Sequence, residues 1–457
     1  MSKLTKLVNN PKQFFWDVRP VRVVRNALPF EIVMTGGETK KTQAKSELLL
    51  KKKKQLAKQS VVADLVQIKN SLQSLINDVP VSNIDLKNYQ VALYFSGGIG
   101  SIYQVEQWLS TLKVLNKQAP IVIITRVKAV FEWLTYNTEF VVVYCRTIQD
   151  LTDLYERSDF KCILYANHGY KNFQSLMNQK ALHIHINHGE SDKTSTITNQ
   201  AKSYDYVYVV AQAGYDKYEK NLIKKDMRKY IKVGRPQLEN IPQRDKFKTD
   251  KTVVLYAPTW EGTHESMNFS SLQEFELSMV EQLMKNSDCF VVYKPHPNTG
   301  SRDANIKNIN EAIIKMLDEY EHGEVILSGD INSIYSHVDI CVFDNSAVAI
   351  DYLKLDKPML MTDMFHRVKG RVDKPIITGA ARMIKPLDAI NIVSIIREEL
   401  ELDTRKIERQ KIKQYFLGDF DYENGESTDT FVTQVLEACK ERDMLLEGIA
   451  SDSSDDN

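Results

Sequence analysis

The chain has 457 residues, of which 43% are hydrophobic and 26% charged, and its 60 basic and 60 acidic residues give a formal net charge of zero. It is too long for one ordinary core and too apolar for a disordered chain, so two globular domains with extensions are expected. No apolar run approaches the length of a membrane span, and the N-terminus lacks the apolar centre of a secretory signal, which points to a cytoplasmic location. The cysteines (Cys145, Cys162, Cys289, Cys341 and Cys439) form no C-x-x-C pair. They read as reduced structural thiols rather than disulfides or metal ligands.

Charge is unevenly spread. Residues 1–60 carry fourteen Lys/Arg against four Asp/Glu, so this stretch is +10 and the remainder −10. A basic arm with Phe14, Phe15, Trp16 and the run Lys51–Lys54 suits an anionic surface, either the inner face of a membrane or a polyanionic polymer. Nucleic acid is set aside because no reading module accompanies the charge. Within this extension (residues 1–88), Val61, Leu65, Ile68, Leu72 and Leu75 recur at helical spacing, and Pro80 ends the stripe. Such a helix packs on the body or lies on a surface.

From residue 89 to 236 short apolar runs alternate with helical segments. The strands are expected at VALYF (91–95), PIVIITRV (120–127), FVVVYC (140–145), KCILYA (161–166), HIHINHG (183–189) and YDYVYVV (204–210). This rhythm predicts a parallel doubly wound sheet. The first strand runs into SGGIGS (96–101), where Gly97 and Gly98 form a tight turn able to serve packing or acceptor binding. The turn is similar to the ATP-pyrophosphatase loop, but Gly100 stands where that loop has Asp. His183 and His185 project one way along their strand and read as packed or hydrogen-bonded core histidines. His188, beside Gly189 at the strand's end and followed by Lys193, is placed for proton transfer or as a hinge. His168 in NHGY ranks below it.

A polar stretch, 237–250, is expected as a linker. A second sheet is predicted over 251–395, with strands at TVVLYAP (252–258), CFVVYKPHP (289–297), GEVILS (323–328), DICVFD (339–344) and KPMLMT (357–362). Helices are expected at about 270–285, 303–320, 346–354 and 388–413. Residues 396–446 form a helical segment, and the acidic tail 447–457 is expected to be disordered. Two such Rossmann-like domains face each other across a cleft, with ligands at the C-terminal ends of the strands, as in many nucleotide-donor glycosyltransferases. APTWEG (257–262) could bound a nucleotide pocket through Thr259 and Trp260, or bury a Trp at the domain seam. In YKPHP, Lys294 and a proline-stiffened His296 suit a diphosphate. Ser346 begins a helix and would cradle phosphate or act as a plain N-cap. Asp351, a turn or two later, would cap a pocket or satisfy the linker. DFD (419–421) resembles a metal-binding D-x-D but lies outside the strand ends, so no obligatory metal or cofactor is expected.

In order and spacing, HGESDK, YDYVYV, VGRP, VLYAPTW, KPHP and FDNSAVAIDYLKLDKP resemble the CDP-glycerol glycerophosphotransferase family, which builds teichoic-acid and capsule polymers from polyol-phosphate units. The resemblance covers about residues 180–435 and includes GDFDYENGEST (418–428). It implies a two-domain glycosyltransferase-like fold, a CDP-glycerol or similar CDP-polyol donor and a polymer or lipid-linked acceptor. It further implies activity-bearing histidines at His188 and His296, and donor contacts from Asp344 and Ser346, with Arg235 nearby. Where the family often has A-P-T-W-R and G-x-P-R-N-D, this chain has A-P-T-W-E and G-R-P-Q-L-E, so two expected arginines are Glu261 and Gln237. A nucleotide-sugar transferase and a non-catalytic assembly protein are the rival readings.

Overall fold

The computed structural model describes residues 85–190, 192, 197–239, 241, 243–262, 268–320, 322–367 and 374–455. Residues 1–84, which hold the basic arm and the apolar stripe, and Lys193 therefore lie outside the described residues. The apolar runs become strands β1 (Val91–Phe95), β2 (Ile121–Thr125), β3 (Val141–Tyr144), β4 (Cys162–Tyr165), β5 (Leu182–His185), β6 (Tyr206–Val209) and β7 (Tyr230–Lys232). They stand in the order 3-2-1-4-5-6-7. The second sheet comprises β8 (Thr252–Ala257), β9 (Cys289–Tyr293), β10 (Gly323–Val325), β11 (Ile340–Phe343), β12 (Met359–Thr362) and β13 (Arg382–Ile384), in the order 10-9-8-11-12-13.

Every pairing is parallel; Leu93, for instance, lies between Ile123 and Leu164. Parallel strands need both faces covered, which is why β1, β2, β4 and β11 are apolar and buried throughout. Both sheets reverse strand order at one point, between β1 and β4 and between β8 and β11. Ligands of such sheets sit outside the strand ends at those points.

The helices that frame the site and close the two cores are α1 (Tyr103–Glu106), α2 (Gln212–Asn221), α3 (Ala304–Asp318), α4 (Ala347–Tyr352), α5 (Ile392–Leu402), α6 (Lys406–Leu417) and α7 (Glu426–Asp455). The expected 388–413 helix is two, because Asp403 turns left-handed (φ 43°) between α5 and α6. The sequence 396–446 is not one unit either. Ile396 of α5 and Phe416 of α6 belong to the second domain's core, whereas Phe431, Val432, Val435, Ala438 and Cys439 of α7 return to cover the first sheet. Helix α7 continues to Asp455 where a disordered tail was expected from residue 447. Among the described residues no helix is long and apolar enough to cross a membrane.

The two domains share a seam of apolar side chains. Val210, Ala211 and Ala213 of the first domain pack in one cluster with Ala349, Ile350, Leu353, Ile412 and Phe416. Two sequence stretches nearly two hundred residues apart also lock together. Glu239 accepts hydrogen bonds from the backbone amides of Ser427 and Thr428 at 2.9 and 2.8 Å, a carboxylate on the free amides of the α7 N-terminus. Gly234, at φ +73°, leaves room for Ser427, whose Oγ would lie 2.4 Å from any added Cβ.

Candidate active site

The strand ends at the two reversal points face each other across the seam, and the loops there carry most of the polar residues singled out by sequence. In the first domain, β5 ends in Asn187-His188-Gly189. Asn187 takes a left-handed φ of 55° and braces the turn, its Oδ1 accepting from His188 N and its Nδ2 donating to Gly189 O, both at 2.9 Å. A Cβ on Gly189 would lie 3.7 Å from Ala347 Cβ and 3.8 Å from Arg235 Nη2, so the His188 loop abuts the first turn of α4 in the other domain. A second tie runs from Ile377 N to Asp192 Oδ2 at 3.1 Å.

The hydrogen bonds of His188 define its chemistry. Its Nδ1 lies 3.0 Å from the Ala166 carbonyl, which can only accept, so the proton sits on Nδ1 and the lone pair on Nε2. Nε2 is 3.4 Å from Gln104 Nε2, and the Tyr103 ring stands edge-on with centroids 6.0 Å apart. Burial, seconded among the lowering influences by the Arg235 charge, pushes the imidazole down to about 4, so it is neutral at physiological pH.

His296 is held the opposite way round. Its Nδ1 accepts from Asn298 N at 3.1 Å, which puts the proton on Nε2 as a donor, and its ring stacks on Trp260 at 5.8 Å and 15°. Lys294, at the end of β9, is half-buried, and burial brings its ammonium down to about 8 while Asp330 pulls the other way. Among the described residues no carboxylate lies within ion-pair distance of it. A cation so placed is stabilised by an incoming anion. Ser346 is the N-cap of α4 by position, but its side chain makes no capping bond and instead donates to Asp344 O at 3.3 Å.

Asp344 and Arg235, which the resemblance implies near the donor, and Asp351, expected to cap a pocket or satisfy the linker, are all turned inward. Asp344 is fully buried and accepts from Thr259 N at 2.8 Å, Ser271 N at 3.1 Å and the Thr362 hydroxyl. It shapes the APTWEG loop and holds the Thr259 amide. Burial raises its carboxyl, against the pull of these hydrogen bonds. Arg235 is 3% exposed and bidentate on Asp351 at 3.0 and 3.2 Å, with Nη1 donating to His188 O at 3.1 Å. Asp351 is thus a support acting through Arg235.

Glu261 stands where the resemblance led to the expectation of an arginine. Its carboxylate accepts from the amides of Gly300, Arg302 and Asp303 at 3.0, 2.7 and 3.3 Å, pinning the APTWEG loop to the start of α3. Gly97 would bring a Cβ to 2.6 Å from the Phe95 ring and so serves packing, whereas Gly98 faces open space. His183 bonds Tyr165 Oη and Asn178 O, both at 2.8 Å, while His185 stacks on His168 at 3.8 Å with neither ring nitrogen partnered among the described residues. Glu190 of HGESDK is paired with Lys217. In DFD, Asp421 closes its own turn on Glu423 and Asn424. Among the described residues no three His, Cys, Asp or Glu side chains are arranged to hold a metal ion.

A protein-family model described as CDP-Glycerol:Poly(glycerophosphate) glycerophosphotransferase matches residues 103–433. The chain belongs to that family. It is therefore a transferase, and the matched span runs from α1 into the first turns of α7, taking in both strand-end clusters. No curated protein matches the chain in sequence. Among solved structures, the wall teichoic acid polymerase TagF soaked with CDPG for 15 minutes is similar at 15% identity and a TM-score of 0.55, over 83% of this chain and 96% of that one. TagF after a 30-minute soak gives 13% identity and 0.53, over 89% and 99%. A Listeria monocytogenes protein assigned as a UDP-N-acetylglucosamine 2-epimerase gives 15% identity and 0.50, over 78% and 97%. At these identities the likeness is one of fold: two facing parallel-sheet domains of the GT-B type.

Sequence reasoning passed over Gln104 and Asn167, which hold His188. Neither belongs to a charged or paired motif, although Asn167-His168-Gly169 repeats Asn187-His188-Gly189 letter for letter.

Proposed function

We propose that this transferase moves a glycerol-phosphate or related polyol-phosphate unit from a CDP-activated donor to a hydroxyl of a growing teichoic-acid or capsule-type polymer. The observation that carries this reading is the opposed protonation of the two loop histidines, with Lys294, unpaired among the described residues, beside one of them. The acceptor oxygen attacks the donor's β-phosphorus, the bond from that phosphorus to the bridging oxygen breaks, and CMP leaves with the electron pair. The hydroxyl proton passes to His188 Nε2. Phosphoryl transfer runs through a loose transition state, so a weak base that orients the hydroxyl and takes its proton late suffices. Lys294, the His296 Nε2–H and the Ser346 hydroxyl would meet the diphosphate charge, and the reading requires no obligatory metal.

The assay is release of CMP from CDP-glycerol and other CDP-polyols, with and without chelator, alongside thermal protection by cytidine and uridine nucleotides. His188→Ala should bind donor and lose turnover. His296→Ala and Ser346→Ala should each weaken donor binding, with a charge-assisted bond worth about 1.5–3 kcal/mol, or roughly ten- to a hundredfold. Uridine nucleotides protecting better than cytidine nucleotides, or no CMP from any CDP-polyol, would overturn the reading. For the basic residues 1–60 the proposal is peripheral attachment to an anionic membrane face; loss of vesicle cosedimentation on their deletion supports it, and equal binding without them removes it.

A further inference from the structure

His188 is gripped on both ring nitrogens by the loop that follows β4. Ala166 O takes the Nδ1 proton at 3.0 Å. The next residue, Asn167, reaches the other nitrogen through Gln104. Gly169 N donates to Asn167 Oδ1 at 2.9 Å, and a backbone N–H can only donate, so the orientation of the Asn167 amide is set. Asn167 Nδ2 then donates to Gln104 Oε1 at 2.7 Å, which turns the Gln104 NH2 towards His188 Nε2 at 3.4 Å. The anchor itself is tightly built. Asn172 Nδ2 donates to Asn167 O at 2.7 Å, and a Cβ at Gly169 would come within 2.9–3.0 Å of Asn167 Oδ1, Asn172 Oδ1 and Ser96 Oγ. Each step fixes the next, from a backbone amide to an imidazole lone pair.

We propose that Gln104 and Asn167 are positioning residues that hold His188 in its Nδ1–H form, the Gln104 amide marking the Nε2 lone pair until the acceptor hydroxyl displaces it as donor. This rests on His188 being the group that takes the acceptor's proton. An amide donor facing Nε2 opposes any second proton there, and Gln104 cannot turn its oxygen to that side without losing Asn167. The remaining groups facing the ring are the Arg235 guanidinium, the neighbouring His168 and His185, and the edge of Tyr103. Of these, Arg235 also disfavours a cationic imidazole.

The test replaces donor by acceptor. Gln104→Glu presents a carboxylate to Nε2, and Asn167→Asp, which never touches His188, repels Gln104 Oε1 and turns the amide over. Either change should favour a proton on Nε2 and move the acidic limb of kcat/KM upward by about one pH unit or more, as an adjacent acceptor or opposite charge does. Donor KM should stay at the wild-type value. Histidine 15N spectra followed over pH, with the His188 signal assigned by its loss in His188→Ala, should show Nε2 taking up its proton at a higher pH in both variants than in the wild type. A merely structural role would lower thermal stability and leave limb and spectra in place, which overturns the proposal. If His188→Ala keeps full turnover, the base reading fails instead, and the nitrogen spectra alone decide whether the relay sets the tautomer.

Discussion

Removing Asp351 should expose how much the domain seam depends on one buried pair. In Asp351→Ala the Arg235 guanidinium, whose side chain is 3% exposed, loses both of its 3.0–3.2 Å carboxylate contacts and keeps the His188 carbonyl. Breaking a buried pair from one side costs about 3–5 kcal/mol, since the surviving charge is left without its counter-ion. At about 1.4 kcal/mol per decade, that is two to three and a half orders of magnitude in the folded population. Replacing both partners by apolar residues, Arg235→Met with Asp351→Leu, should return to within about 1 kcal/mol of the parent, because the expense lies in the stranded charge. Urea titrations followed by Trp fluorescence read this directly, Trp108 reporting the first domain and Trp260 the second. A single Asp351→Ala change within about 1 kcal/mol of the parent, or a double variant as unstable as the sum of its parts, would refute the reasoning.

Glu261→Ala frees three amides at the start of α3 and should destabilise the protein by about 1.5–3 kcal/mol, with Glu261→Gln between the two; an unchanged Tm would contradict it. Donor affinity should fall as pH rises through about 8, where the Lys294 ammonium deprotonates, and Lys294→Met should abolish that dependence in a calorimetric titration. Burial holds His168 and His188 at about 4 and His185 well below its usual value, whereas the unfolded chain titrates each near ~6.5. The unfolded state then takes up protons that the folded state refuses. Their contribution to stability is complete above about 6.5 and lost as pH falls towards 4. His185→Phe should flatten the decline of Tm between pH 7 and 4.5, and an unaltered slope would count against it.

The strand-rich texture of the chain made both sheets legible, because parallel strands buried on both faces leave unbroken apolar runs. The two strands that escaped notice, β7 and β13, are three-residue edge strands, only partly buried, with too few residues to show a pattern. The break between α5 and α6 had no signal either, since Asp403 rather than Gly takes the left-handed turn. At the site, residue type and strand-end position were enough to single out His188, Lys294 and His296, which the structure does place just beyond β5 and β9. They could not tell which way a side chain turns: Asp344 and Ser346 stand two residues apart, yet Asp344 is fully buried and Ser346 is not. Asp351 was legible as a support, but its partner Arg235, 116 residues away, is a fact of tertiary structure. VGRPQLE and GDFDYENGEST, which carry no mark of contact in the sequence, meet in the fold, since Glu239 and Gly234 are the dock for Ser427 and Thr428.

The return of α7 to the first sheet has a bearing on how the chain is made. Synthesis on the ribosome proceeds from the N-terminus, yet the first sheet's core lacks Phe431, Val432, Val435, Ala438 and Cys439 until nearly the whole polypeptide has emerged. The second sheet, drawn from residues 252–384 and closed by α5 and α6, has its own complement earlier. The domain translated first is therefore the one completed last. Nascent chains stalled before residue 431 should leave the first sheet open to protease while the second is already resistant, an inversion of the usual vectorial order.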